Sequence, residues 1–233
     1  MMGFSQARYE EVLARVAAAA KKSGRQPGDV ELVSVSKTQP PEVVAEAIEG
    51  GVRILGENRV QEARDKRAAL DPELAARARW HLIGSLQRNK ARQVPGLFDV
   101  VESVDSAALA SALSERVAGS GQEPLEVFIQ VNTGDEPQKG GVLPAELSPL
   151  LEEISGLASI RVVGLMCIPP LGREPEESRP HFQMLREFRD RAAESGFTSL
   201  ARLSMGMSSD YEVAIEEGAT SVRVGRAIFG ARD

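Results

Sequence analysis

Cysteine occurs once in this chain, at Cys167, and histidine twice, at His81 and His181. A single cysteine excludes an internal disulfide framework and a cysteine-built zinc site. Two histidines are too few for a histidine-built metal centre. Tyrosine is nearly as scarce, with only Tyr9 and Tyr211. No run approaches the ~18 uncharged apolar residues of a membrane span. Arg8, Glu10, Glu11 and Arg15 interrupt the first apolar stretch, which therefore does not read as a signal peptide. Positive charge is also in deficit. Lys and Arg number 28 against 34 Asp and Glu, for a net charge of −6 and a pI near 5.2. Nucleic-acid binders carry a basic face. The expectation is a soluble cytoplasmic protein that binds neither nucleic acid nor membrane.

What is present is globular: 42% hydrophobic and 27% charged residues in a chain of 233. Residues 4–23 read as a leading helix. Tyr9, Val12, Leu13, Val16, Ala17 and Ala20 share one face, and Gly24 is a natural stop. After a turn at Pro27, Gly28 and Asp29, strands and helices alternate. The strand candidates are Glu31–Ser36, Arg53–Leu55, Trp80–Gly84, Asp99–Ser103, Glu126–Val131, Arg161–Cys167, Ala201–Ser204 and Ser221–Val224. Helices are expected at Pro41–Glu49, Asn58–Leu70, Asn89–Val94, Ser106–Val117, Pro144–Ile154, Ser178–Ser195 and Ser209–Glu217, with a short one from Arg226. Leu171–Pro180 reads as an exposed loop.

Such alternation requires parallel strands with helical crossovers. Eight units in about 205 residues fit a closed (β/α)8 TIM barrel, whose usual size is ~200–250 residues. The alternative is an open doubly wound sheet. Its Gly-x-Gly-x-x-Gly fingerprint is absent, because the first strand runs into Ser36-Lys37-Thr38-Gln39-Pro40.

A barrel of this kind does its chemistry at the C-terminal ends of its strands. Lys37 stands there, after an apolar strand, in a chain with six Lys among its 28 basic residues. A free lysine amine has a pKa of about 10.4. Burial in a barrel mouth can lower that value and free the amine to trap a carbonyl. The ends of strands 7 and 8 are the usual phosphate site of the fold. Here they read Ser204-Met205-Gly206-Met207-Ser208-Ser209-Asp210 and Arg223-Val224-Gly225-Arg226. Gly206 lets backbone approach a ligand, while the serines and a helix start favour an anion. A carbonyl-trapping lysine with a phosphate cradle points to a phosphorylated aldehyde or ketone. Pyridoxal phosphate fits, and so does a sugar phosphate in a cofactor-free aldolase. His81 reads as a satisfied core histidine and Cys167 as inert packing. Glu62, Arg64 and Asp65 read as a solvated helix face. Lys139 reads either as part of a flexible loop at 135–141 or as a second cation above the mouth.

The motif set Val33-Ser34-Val35-Ser36-Lys37-Thr38, Leu55-Gly56-Glu57-Asn58 and Trp80-His81-Leu82-Ile83-Gly84-Ser85-Leu86-Gln87 resembles the pyridoxal phosphate homeostasis proteins. So do the strand 7 and 8 segments, through Ile228-Phe229-Gly230. The resemblance runs from about Val33 to Gly230. It implies one pyridoxal-phosphate-binding barrel domain over residues 1–233, with a leading helix at 1–24 and the barrel at 30–230, similar to the N-terminal domain of alanine racemase. It implies that Lys37 carries pyridoxal 5'-phosphate covalently as an internal aldimine, and that Asn58 lines the ring pocket. It places the phosphate among Ser204, Met205, Gly206, Ser208, Arg223 and Gly225, with Arg223 near the phosphate or the pyridine nitrogen. Two positions depart from the family pattern. Gln39 stands where some members have a second lysine, and Arg59 stands where an aromatic often follows. Any cofactor transfer through a second lysine would have to use Lys139.

The resemblance implies a carrier that serves intracellular cofactor homeostasis and delivers to apo-enzymes, and a small single-domain barrel is compatible with a monomer. The alternative is an amino-acid racemase. Racemisation needs an acid–base pair on opposite faces of the α-carbon. Related racemases take one member, a tyrosine, from an additional domain that this chain is expected to lack. Tyr9 lies in the leading helix and Tyr211 in a helix after strand 7. An arginine at the pyridine nitrogen would also weaken the cofactor's electron sink. The reading is therefore a non-catalytic carrier.

Overall fold

The computed structural model describes residues 3–136, 139–170 and 172–230. Eight strands close into a parallel barrel in the order β1 to β8. They are β1 (Glu31–Val35), β2 (Ile54–Glu57), β3 (Arg79–Leu82), β4 (Val100–Val104), β5 (Leu125–Gln130), β6 (Ile160–Met166), β7 (Arg202–Met207) and β8 (Ser221–Val224). The outer layer holds α1 (Gln6–Lys22), α2 (Pro41–Glu49), α3 (Val60–Ala69), α4 (Pro72–Ala75), α5 (Ala107–Ala118), α6 (Leu147–Ile154), α7 (Arg179–Glu194), α8 (Tyr211–Glu216) and α9 (Arg226–Phe229).

The alternation of side chains along each strand sorts the barrel into two cores. Leu32, Leu55, Trp80, Leu82, Val127, Leu165, Leu203 and Val222 face outward and join the helices in one large buried cluster. Val33, Val35 and Ile83 form one interior cluster, and Val100, Phe128, Val163 and Met166 form another. At the strands' N-terminal ends, Glu126 binds Arg79 at 2.8 Å, Arg161 at 2.6 Å and Arg202 at 3.3 Å. Those charges seal the barrel's lower opening.

The leading helix is ordered by its own sequence and by the end of the chain. Ser5 caps α1, and Tyr9, Val12, Val16, Ala19 and Ala20 form its buried face. Arg15 pairs with Glu212 at 2.7 Å and Lys22 with Glu216 at 2.5 Å, which docks α1 on α8. The Arg25 guanidinium donates to the carbonyls of Ala219 and Ile215.

Several elements differ from the sequence reading, among them α4, which was not expected, and β2, which continues to Glu57. The helix expected at Asn89–Val94 is a 3-10 helix of 6 residues at Arg88–Gln93, longer than most 3-10 runs. The expected loop over 171–180 lies partly outside the described residues, at Leu171; a 3-10 turn at Pro175–Ser178 runs directly into α7. Strand 7 continues through Met207 instead of ending at Ser204. Its pairing with β8 shifts register between Ser204 and Met207. Gly206 carries that irregularity at φ +92°, where a Cβ would lie 2.5 Å from Ala214 Cβ. Only glycine takes this conformation in this space without strain.

Candidate functional site

Lys37 follows β1 by two residues and shares the parity of the interior-facing Val33 and Val35. It is half-buried. The backbone turns sharply after it. Thr38 has φ +66°, an uncommon conformation for a β-branched residue, and its N–H donates to the Glu62 carboxylate.

Barrel closure brings the far end of the chain to this lysine. β8 pairs with β1, with Ser34 opposite Val224. Gly225 therefore stands against the end of β1, and a Cβ there would lie 3.1 Å from the Val35 carbonyl oxygen. The Gly225 N–H donates to Ser208 Oγ at 3.3 Å, which ties the β7 and β8 ends together. Asp210 organises the same turn from below. It accepts from the Met207 N–H at 2.7 Å and from Ser178 Oγ at 2.8 Å. On the other flank, Asn58 follows β2. A Cβ on Gly84 would lie 2.4 Å from the Asn58 carbonyl oxygen, so the β2 and β3 ends are in direct backbone contact. Asn58 Oδ1 is buried and has no partner.

Beneath these loops lies a buried polar network. Glu102 on β4 is wholly buried. One carboxylate oxygen lies 2.7 Å from His81 Nδ1 and the other accepts from Ser204 Oγ at 2.6 Å. Arg223 donates to Ser204 Oγ at 2.5 Å and to the Cys167 carbonyl at 2.8 Å, and stands 3.7 Å from Glu102. Burial pushes the Glu102 carboxyl up, but His81, Arg223 and Ser204 outweigh it and hold it below the ordinary glutamate range.

The expected site residues thus divide into two groups. Lys37, Asn58, Ser208 and Gly225 lie at the strand ends. Ser204 and Arg223 are buried in the interior network, and the Ser204 hydroxyl is engaged between Glu102 and Arg223. The Met205 side chain faces the helix layer, and Gly206 shapes the β7 backbone. Gln39 is buried, while Arg59 is exposed at the start of α3. Lys139 donates to the Pro169 carbonyl at 2.9 Å and pairs with Glu136 at 2.5 Å; Pro137 and Gln138 of its loop lie outside the described residues. Burial pushes the Cys167 thiol up to about 12.

Sequence reasoning missed two partners of this site. Glu102 occupies an apolar strand, and that placement was its only signal. Glu57 ends β2 and binds Lys66 of α3 at 2.7 Å, with Lys66 5% exposed and Glu57 fully buried. Glu62, assigned to a solvated face, also binds Lys66 at 2.7 Å and is only 25% exposed. Arg64 and Asp65 do lie on the exposed face and pair with each other at 3.2 Å. The spacing of Glu62 and Lys66, four residues apart on a helix, was a readable signal. Burial pushes Glu57 up, with Lys66 offsetting only part of the rise. For Glu62 burial also raises the value, but Lys66 and the Thr38 N–H bring it below the ordinary range.

Among the described residues no helix is long and apolar enough to cross a membrane. No group of three His, Cys, Asp or Glu among them could hold a metal ion.

The family described as alanine racemase, N-terminal domain, matches residues 8–233. A pyridoxal phosphate homeostasis protein from Aquifex aeolicus is 44% identical over 226 residues, 97% of each chain. One from Escherichia coli K12 is 40% identical over 96% of this chain and 94% of its own. Among solved structures, PipY of Synechococcus elongatus with PLP bound has a TM-score of 0.80 at 40% identity, covering 94% of this chain and 100% of that one. An alanine racemase from Corynebacterium glutamicum has a TM-score of 0.68 at 15% identity, covering 100% of this chain and 62% of that one, a likeness of fold alone.

Proposed function

The chain belongs to the pyridoxal phosphate homeostasis protein family, and on that premise we propose that it binds pyridoxal phosphate covalently through the Lys37 amine, holds it, and releases it to other proteins. One observation carries the proposal. The β1–β8 seam sets the strand end bearing Lys37 beside Arg223 and Gly225, with Ser208 tied to Gly225. The residue types fit the ligand. A primary amine faces the need of an aldehyde, and a serine hydroxyl and glycine backbone face the need of a phosphate. Asn58 Oδ1, buried and unpartnered, offers an acceptor at the same mouth. When bound, the cofactor supplies an aldehyde that condenses reversibly with an amine. The chain supplies the amine, the anion donors and a floor of Arg223 neutralised by Glu102.

The placement of the tyrosines supports carriage over turnover. The Tyr9 hydroxyl donates to the Gly51 carbonyl at 3.3 Å from α1. Tyr211 is buried in the helix-facing core, with the Arg15 guanidinium 5.5 Å from its ring. Neither stands at the strand ends, where an acid–base partner for Lys37 would be needed. His81 is fully buried against Glu102.

The test is the visible spectrum of the protein incubated with pyridoxal phosphate and then freed of unbound ligand by gel filtration, before and after borohydride, beside Lys37→Ala. A band that borohydride abolishes, a fixed mass on the peptide containing Lys37, and loss of both in the variant are expected. A variant that keeps the band, or a wild type that never develops it, overturns covalent attachment. Solvent deuterium entering the α-carbon of an amino acid at enzymatic rates overturns the carrier reading.

A further inference from the structure

Cofactor binding as just described does not use the buried Lys66–Glu57 pair. Charges this deeply buried are expensive to desolvate, and such pairs are weak evidence for a stabilising role. What the pair touches is more informative. The Lys66 ammonium donates to three oxygens, each at 2.7 Å: Glu57 Oε1, Glu62 Oε1 and the Ser36 carbonyl. All three of its protons are thereby used. The same Glu62 oxygen accepts from the Thr38 N–H. Ser36 Oγ also donates to Glu57 Oε1 at 2.6 Å.

The Ser36 carbonyl belongs to the peptide unit before Lys37, and the Thr38 N–H to the unit after it. Both peptide units that flank the lysine's Cα are therefore fastened to one charged cluster on α3 and the β2 end. The cluster also holds Thr38 in its left-handed conformation, which a β-branched residue adopts only where surrounding structure imposes it. We propose that Lys66, with Glu57 and Glu62, is a positioning device for Lys37 that fixes the backbone on both sides of it and so sets where its amine is presented. This role rests on the reading of Lys37 as the attachment point, but the fastening itself is a property of the cofactor-free chain.

The test uses Glu62→Met and Lys66→Met in the full chain. Glu62→Met removes the acceptor of the Thr38 N–H at a partly exposed residue of similar length, so it keeps the test open if Lys66→Met does not fold. Amide hydrogen exchange at Thr38 in the cofactor-free protein should rise about tenfold, the factor carried by one charge-assisted hydrogen bond. Exchange in β5, remote from the cluster, should stay at the wild-type rate. The apparent Kd for pyridoxal phosphate should also rise about tenfold. The Kd for pyridoxine phosphate, which has an alcohol in place of the aldehyde and cannot condense with Lys37, should stay within about twofold. A merely structural role loosens both ligands alike, and that result overturns the proposal. Unchanged exchange at Thr38 overturns it too. If the wild type gives no borohydride-fixed adduct, covalent attachment fails, while the exchange measurement still decides whether the cluster fastens this segment.

Discussion

Glu102→Gln isolates the charge that neutralises Arg223. The substitution keeps the volume of a wholly buried side chain and removes its negative charge. Glu102 is ionised in the fold, because His81, Arg223 and Ser204 outweigh the effect of burial. An arginine cannot shed its proton to compensate. The Arg223 side chain, 3% exposed, would keep its bonds to Ser204 Oγ and the Cys167 carbonyl but lose the carboxylate beside it. Removing one member of a buried pair costs about 3–5 kcal/mol. Unfolding entropy of about 2.1 cal/mol/K per residue gives roughly 0.5 kcal/mol/K for a chain of this length, hence a Tm about 6–10 °C lower. Thermal unfolding of the cofactor-free protein at neutral pH measures it. Adding Arg223→Met should restore most of the loss, since the orphaned charge is then gone. A drop of less than about 2 °C, on the same entropy scale, would refute the reasoning. So would a double variant that loses the sum of the two single effects.

Gly206→Ala should destabilise the protein by about 1–3 kcal/mol through strain and overpacking, because its φ is +92° and its Cβ would meet Ala214 and Tyr211. Gly156→Ala, which meets nothing within 4 Å, should shift stability by no more than about 0.5 kcal/mol; denaturant titration compares the two. Cys167, buried and with its thiol pushed up to about 12, should resist a thiol reagent in the native protein and titrate as one equivalent after denaturation; rapid native labelling would contradict its placement. Stability should fall on acidification. Glu62, Glu102 and Glu126 are held low in the fold, so their contribution is present above the unfolded value of about 4.3 and is lost as pH drops through the folded values. Glu57, raised by burial, has the opposite sign and weakens the fold as pH rises past its unfolded value. With more carboxyls held low than raised, melting curves from pH 7 to 3 should show Tm declining below about pH 4.3, and a flat profile would contradict the assignment.

Local chemistry was enough to read most of the frame. The apolar runs at Glu31–Val35 and Ser221–Val224, the amphipathic stripe of α1 and the helix at Pro41–Glu49 follow from side-chain periodicity and from proline and glycine at their ends. The strand–helix rhythm over this length selects a closed barrel, and the position of Lys37 after β1 follows from that register alone. The continuation of β7 through Gly206 was not readable, because a glycine after an apolar run marks a strand end and an in-strand irregularity equally well.

The interior network was not readable either. Nothing near Glu102 in the sequence announces that Ser204 and His81 will bind it, and Glu62 reads as surface until Lys66 is seen turned inward beneath Ser36. By itself the sequence determined the order of strands and helices and most of which apolar residues point inward or outward, since these depend on periods of two and 3.6 residues. Only the tertiary structure decided that Gly225 packs on Val35 at the end of β1 and that Glu102 meets Arg223. Those neighbours are set by how eight strands stagger as they close a cylinder, and the β1–β8 hydrogen bonds that complete it join residues at opposite ends of the chain.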